Sequence, residues 1–384
     1  MNGIMPQRSI AENCLTRWYI DTRQLTSTCS SLPLLETLQP SDQVTVKKFY
    51  HLADRHMSLA SYLLKYYFIH NACRIPWNEI TISRTLEPHR RPCFLPASQT
   101  RPDGTPIPNV EFNISHQASL VTLAGCTVPS SCSGLGHADS RGENAFITGY
   151  TSPQPSSSPD PLAAPQVGID ISCADEPSRR SRNPFPTTPQ ALASFVDVFS
   201  EVFSHRELNV MKTIPHWSPD STTGPTSLEG AIKSQVRLFY AYWALKEAYI
   251  KMTGEALLAP WLRELEFTNV TTPEISLPGS NLPGLNGNNQ PGQATSITTP
   301  SWSEPYTGVQ TWLYGKKMED LRIEIVAFET DYFVATAARG AGLGAGSQVA
   351  GATDPWRELE KIDILKDIAP CAQGQCQCCL SQQI

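Results

Sequence analysis

Apolar and polar positions along the chain fall into two periods. Leu52, Leu59, Leu63 and Tyr67 recur at helical spacing and predict a helix over His51–Ala72. Phe239, Trp243, Tyr249 and Ile250 predict a second over Val236–Gly254. Each helix runs into a Pro-Trp pair, Pro76-Trp77 and Pro260-Trp261, and then into an alternating strand, Ile80–Ser83 and Leu265–Phe267. The strand Ser119–Gly125 resembles Tyr332–Ala338 in the same way. A pattern of helix, Pro-Trp, strand, loop and strand that occurs twice predicts an α+β fold of two pseudo-symmetric subdomains with a ligand cleft between them. Gln166–Ser172 reads as a strand with Val167, Ile169 and Ile171 on one face. Gly168, Asp170 and Ser172 then share the other face, which predicts an accessible rather than buried Asp170. Trp356–Lys366 reads as a helix.

Composition sets the boundaries. Pro129–Pro165 is dense in Ser, Pro and Gly, and Thr271–Pro305 adds Asn, so both are expected to be exposed, mobile loops. The 32 prolines and 23 glycines of this 384-residue chain agree with so much loop. The expected division is an N-terminal subdomain over 1–165, a C-terminal subdomain over 166–339 and a Gly- and Cys-containing tail over 340–384. A net charge of −6 argues against a general nucleic-acid binder, which needs a broad basic face. No apolar run approaches the ~20 residues of a membrane span, and the N-terminus lacks the apolar core of a signal peptide. The 11 cysteines, irregularly spaced, read as the reduced thiols of a cytoplasmic protein.

Candidate chemistry sits where charge interrupts apolar segments. Asp170 lies between Ile169 and Ile171, and Glu247 and Lys251 lie four apart on one helix face. Two carboxylates from separate elements with a cation beside them suit a Mg²⁺ ion and a phosphate, since Mg²⁺ takes one or two protein carboxylates and phosphate oxygens. The plain alternatives are a strand-end aspartate and a surface ion pair. Ser115 and His116 precede a strand and together offer a phosphate two hydrogen bonds, one of them charge-assisted. As neighbours on an extended chain they point oppositely, which disfavours a Ser/His/Asp hydrolase. Arg84, Arg90 and Arg91 form a local cationic cluster. Gly340–Gly346 has no βαβ context for a dinucleotide loop. Cys371, Cys376, Cys378 and Cys379 have no histidine nearby in the sequence, which favours an unstructured tail. Ser204 and Glu207 stand at capping-box spacing.

Phe112-Asn-Ile-Ser-His116, Val167-Gly-Ile-Asp170, Phe203-Ser-His-Arg-Glu207 and Trp243-x-x-Lys-Glu-Ala-x-x-Lys251 together resemble the 4′-phosphopantetheinyl transferases of the surfactin-synthetase type. His51–Ala72 and Pro76–Arg84 are similar to the eukaryotic aminoadipate-semialdehyde dehydrogenase-activating members, and the polar loops to fungal broad-range ones. The resemblance implies a cytoplasmic monomer that moves the phosphopantetheine arm of coenzyme A to a serine of acyl or peptidyl carrier domains, releasing 3′,5′-ADP. The carriers implied belong to polyketide synthases, peptide synthetases and aminoadipate reductase. It further implies that Asp170 and Glu247 hold Mg²⁺ and that Lys251 neutralises the pyrophosphate. Ser115, His116 and Arg84 would grip the 3′-phosphoadenosine end, with Arg91 a further phosphate contact. Glu247, directly or through a metal-bound water, would take the serine proton, with Gln117 near that site.

Bacterial members often carry a second acid where this chain has Ser172, so two protein carboxylates are expected on the metal. Two other readings stay open at this point. One is a non-catalytic binder of coenzyme A or a nucleotide, which would dispense with Glu247 and Lys251. The other is a metal-binding interaction protein organised on the Cys-rich tail.

Overall fold

The computed structural model describes residues 14–85, 90–129, 163–176, 185–214, 227–255, 259–275 and 302–376. The first half runs β1 (Leu15–Asp21), α1 (Arg23–Thr28), α2 (Pro40–Lys47), α3 (Leu52–Cys73), β2 (Ile82–Arg84), β3 (Pro92–Phe94), β4 (Val110–Gln117) and β5 (Leu120–Thr127). The second half runs β6 (Gln166–Cys173), α4 (Pro189–Asp197), α5 (His205–Lys212), α6 (Leu228–Thr253), β7 (Leu265–Thr268), β8 (Gln310–Leu313), β9 (Lys316–Lys317), β10 (Arg322–Phe328) and β11 (Tyr332–Arg339). The chain then adds β12 (Trp356–Lys361) and α7 (Ala369–Ala372).

The duplicated pattern is present in the topology. One sheet has the order β1-β5-β4 and the other β6-β11-β10, each with an antiparallel hairpin, and β12 extends the first sheet beyond β1. Helix α3 packs on β4 and β5, and α6 packs on β6 and β11. Where a helix crosses its sheet the strand carries glycine. A Cβ on Gly125 would press on the Phe68 ring, and one on Gly168 would collide with the backbone of Ala248 and Met252. The apolar faces of the two sheets meet in a shared core that includes Tyr19, Leu120, Ile169, Ile171, Val334 and Phe328.

The sheets join at β4 and β6 by side chains. Asn113 Oδ1, Ser115 Oγ and Gln117 Oε1 accept hydrogen bonds from the backbone N–H groups of Ile169, Ile171 and Cys173 at 3.3, 3.3 and 3.2 Å. Alternate residues of a strand face one way, so three polar side chains two apart satisfy the edge of β6.

Four expectations are corrected. Trp356–Lys366 is not helical: Trp356–Lys361 is a strand parallel to β1. Leu15 pairs with Trp356 and Arg17 with Leu359, so three steps on β12 oppose two on β1. That bulge turns Trp356 and Leu359 to one apolar face and imitates helical spacing. The tail is accordingly folded as far as residue 376, where its apolar side chains pack on α3. The loop expectations fall mostly on residues 130–162 and 276–301, outside the described residues, but the distal end of the second is bound. Ser303 and Tyr306 bond the backbone of β10, and the Trp302 ring packs on Tyr19 and Phe328. The helix expected from Val236 begins instead at Leu228, capped by Ser227, whose hydroxyl accepts from Gly230 N at 3.1 Å. Among the described residues no helix is long and apolar enough to cross a membrane.

Candidate active site

Gly168 lets α6 lie directly on β6, and this close crossing brings Lys251 to the carboxylate two residues further along the strand. Lys251 Nζ donates to Asp170 Oδ1 at 2.6 Å and to Ser115 Oγ at 2.8 Å. The Ser115 hydroxyl in turn donates to Asp170 Oδ1 at 2.8 Å and accepts from Ile171 N. Its one proton and two lone pairs are then all used. Asp170 is 5% exposed, so the expectation of an accessible carboxylate is wrong. The face of β6 opposite the sheet core is closed by α6 and flanked by β4, rather than by water.

Burial pushes the Asp170 carboxyl above the ordinary carboxylate range, opposed by the Lys251 charge and the hydrogen bonds from Lys251 and Ser115. Glu247, one turn before Lys251, is pushed up to about 7, first by burial and then by the charge of Asp170, with Lys251 opposing. Among the described residues no donor is bonded to Glu247. Lys251 thus turns to Asp170 rather than making the surface ion pair with Glu247. Two carboxylates that destabilise each other's charge, one without a donor, form a set that fits a hard divalent cation. Ser172 adds no acid, since its hydroxyl donates to Tyr240 O at 3.1 Å and ties β6 to α6.

His116 points away from Ser115, as the strand geometry requires. Its side chain is exposed, yet surrounding protein lowers its pKa by desolvation, with the positive charges of Lys251 and Lys65 adding and Asp54 opposing. Lys65 went unnoticed in the sequence. It lies within buried α3 at 5% exposure, with Nζ 3.8 Å from the Tyr62 ring centroid. Burial lowers its pKa to about 8, Asp42 opposes, and Arg84 lowers it further. A lysine inside the apolar stretch Tyr62–Ile69 was the signal available. Arg84, Lys65, His116 and Lys251 thus form a basic series in which each group feels the next.

The other arginines divide. Arg84 is exposed, and its Nη1 donates to Arg90 O at 3.0 Å. Arg91 is buried, donating to Glu111 Oε1 at 2.7 Å and to Val167 O at 3.1 Å, so it braces β3 against β4 and β6. Gln117 bonds Glu176 at 3.1 Å beside the β4–β6 seam. Glu207 and Ser204 form the expected capping box. Beyond that, Glu207 pairs with fully buried Lys246 at 3.0 Å, a contact that sequence spacing did not reveal.

Comparison with known proteins identifies a family. Residues 26–128 match a family model described as 4′-phosphopantetheinyl transferase, N-terminal. Residues 166–297 match that of the 4′-phosphopantetheinyl transferase superfamily. The chain is 57% identical over 377 residues to 4′-phosphopantetheinyl transferase A of Aspergillus fumigatus, covering 96% of this chain and 97% of the relative. It is 47% identical over 376 residues to 4′-phosphopantetheinyl transferase NpgA of Emericella nidulans, covering 95% and 96%. A human relative, L-aminoadipate-semialdehyde dehydrogenase-phosphopantetheinyl transferase, is 24% identical over 63% of this chain and 56% of its own length. Near full-length likeness to named transferases disfavours both the non-catalytic binder and the tail-centred interaction protein. The chain belongs to the 4′-phosphopantetheinyl transferases, enzymes that move phosphopantetheine from coenzyme A to carrier proteins.

Proposed function

We propose that transfer is Mg²⁺-dependent and runs in a cleft beside the β4–β6 seam, with Asp170 and Glu247 as the protein ligands of the ion. The observation that carries this is the pairing of a buried carboxylate, Asp170, with a half-buried one, Glu247, that has no protein donor among the described residues. Mg²⁺ held there would offset negative charge on the pyrophosphate of coenzyme A. Lys251 has a third ammonium proton beyond the two given to Asp170 and Ser115, and directs it to a pyrophosphate oxygen. Ser115 orients Lys251 and Asp170 rather than gripping the far end of the cofactor. Arg84 and His116, joined by Lys65, receive the 3′-phosphoadenosine end. Arg91 holds the framework without touching phosphate.

The carrier serine oxygen forms a bond to the phosphorus bearing the pantetheine, and the bond from that phosphorus to 3′,5′-ADP breaks. Glu247, the carboxylate with no protein donor among the described residues, takes the serine proton. Alignment of the attacking oxygen and charge compensation are the chief demands of such chemistry. Carriers of polyketide synthases, peptide synthetases and aminoadipate reductase are the substrates we assign, in keeping with fungal and aminoadipate-linked relatives. The same reading makes the enzyme a cytoplasmic monomer that binds neither nucleic acid nor membrane. Its subdomains meet near residue 165, and the tail begins near 340.

The test is intact-mass spectrometry of an apo carrier domain incubated with coenzyme A. The phosphopantetheine mass should appear with Mg²⁺, vanish with a chelator and return when Mg²⁺ is restored. Undiminished transfer in chelator overturns the metal assignment while leaving the family intact.

A further inference from the structure

The C-terminal tail returns to the end of α3 and brings together three soft donors that the sequence keeps far apart. His70, in the last turn of α3, is 306 residues from Cys376, yet its Nε2 lies 3.2 Å from Cys376 Sγ. Cys371, in α7, completes a group whose ligand atoms all lie within 4.8 Å of one another. These three residues line a cavity of about 280 Å³ together with Pro76, Trp77 and Asn78.

The imidazole is oriented for coordination. His70 Nδ1 is 2.7 Å from Ile75 O, and a carbonyl can only accept, so Nδ1 carries the hydrogen and Nε2 turns its lone pair toward the sulfurs. A backbone carbonyl that fixes the tautomer in this way is the usual support for a metal-binding histidine. Zinc at ~2.3 Å from sulfur and ~2.0–2.1 Å from nitrogen needs ligand atoms roughly 3.5–3.8 Å apart in a tetrahedron. The observed group brackets that spacing, with one pair at 3.2 Å and all pairs within 4.8 Å. His70 and Cys371 are buried, so the donors are held by the core rather than by a surface loop.

We propose that His70, Cys371 and Cys376 bind one Zn²⁺ ion, which staples the C-terminal tail to α3. On binding, the two thiols release their protons to solvent, while neutral His70 contributes its Nε2 lone pair. The site shares no residue with the transferase centre, so it stands or falls independently of that reading. Structural zinc takes four ligands. The sequence continues Gln377-Cys378-Cys379, outside the described residues, and the test therefore includes those thiols.

Untagged full-length protein, expressed with zinc in the medium and purified under thiol reductant, is assayed for metal by mass spectrometry. About one zinc per chain is expected. The ion should be lost in the Cys371→Ser, Cys376→Ser double variant. If that variant does not fold, the unaltered protein still decides the matter. A strong chelator should release the ion and lower the melting temperature, and Co²⁺ reconstitution should give sulfur-to-cobalt charge-transfer absorption. Three results would overturn the site: zinc-free wild-type protein, a Cys371–Cys376 disulfide in its place, or zinc retained by the double variant but lost from Cys378→Ser, Cys379→Ser.

Discussion

Two lysines five residues apart on α6 each meet a carboxylate, and the contrast between them separates structure from chemistry. Lys246 is fully buried, and its ammonium is shared among Glu207, Leu262 O and Leu265 O, all protein groups. Glu207 is itself held by Ser204 N and Phe267 N. Burial lowers the Lys246 pKa and raises that of Glu207, each opposed by the other's charge. Lys251 is 28% exposed and meets Asp170 beside a second carboxylate, Glu247, that no described donor satisfies. The same pair of charges is a staple when every partner is protein, and a candidate binding site when one carboxylate is left over and the lysine reaches solvent.

The contrast is broken most severely at the carboxylates. Asp170→Asn and Glu247→Gln should each lower turnover by several powers of ten with little change in melting, measured by carrier modification and thermal unfolding side by side. Near-normal transfer by either variant at saturating Mg²⁺ would remove that residue from the chemistry.

Next in size is the exchange of the two lysines. Lys246→Met strands Glu207 in the core and should cost ~3–5 kcal/mol of stability, seen in denaturant unfolding, while the folded fraction keeps its activity. Lys251→Met should do the reverse, with a smaller loss of stability and a large loss of turnover. Equal effects of the two on unfolding would erase the distinction.

His116→Ala sharpens the functional side. A lost charge-assisted hydrogen bond is worth ~1.5–3 kcal/mol, so coenzyme A affinity should fall roughly ten- to a hundredfold while the chemical step is largely kept. Dephospho-coenzyme A is the control: wild type should bind it less well than coenzyme A, and the variant should discriminate far less. Full discrimination by the variant would move the 3′-phosphate elsewhere.

The smallest effect is expected for residues 130–162 and 276–301. Replacing either stretch with a short Gly/Ser linker should leave melting and turnover near wild type, because closure entropy changes slowly with loop length. Loss of carrier modification with coenzyme A binding preserved would make that stretch a docking element.

What could be read from sequence followed the same division. Asp170, Glu247 and Lys251 were legible because charge stands out against apolar periodicity, and the duplicated pattern was legible because each half repeats its own local order. Lys65 escaped because α3 was read by its apolar residues alone. Burial of Asp170 was missed because alternation gives the face of a strand but not what covers it. The Arg91–Glu111 pair and the His70–Cys376 contact depend on packing between distant segments, which spacing along the chain does not encode. In β12 the bulge against β1 made a strand look helical.

The most direct measurement is a crystal structure with coenzyme A and Mn²⁺ in place of Mg²⁺, located by anomalous scattering. The account predicts a single metal peak ~2.0–2.2 Å from an oxygen of Asp170 and one of Glu247, with Lys251 on the pyrophosphate. A metal held away from Glu247, or a pyrophosphate out of reach of Lys251, would contradict it.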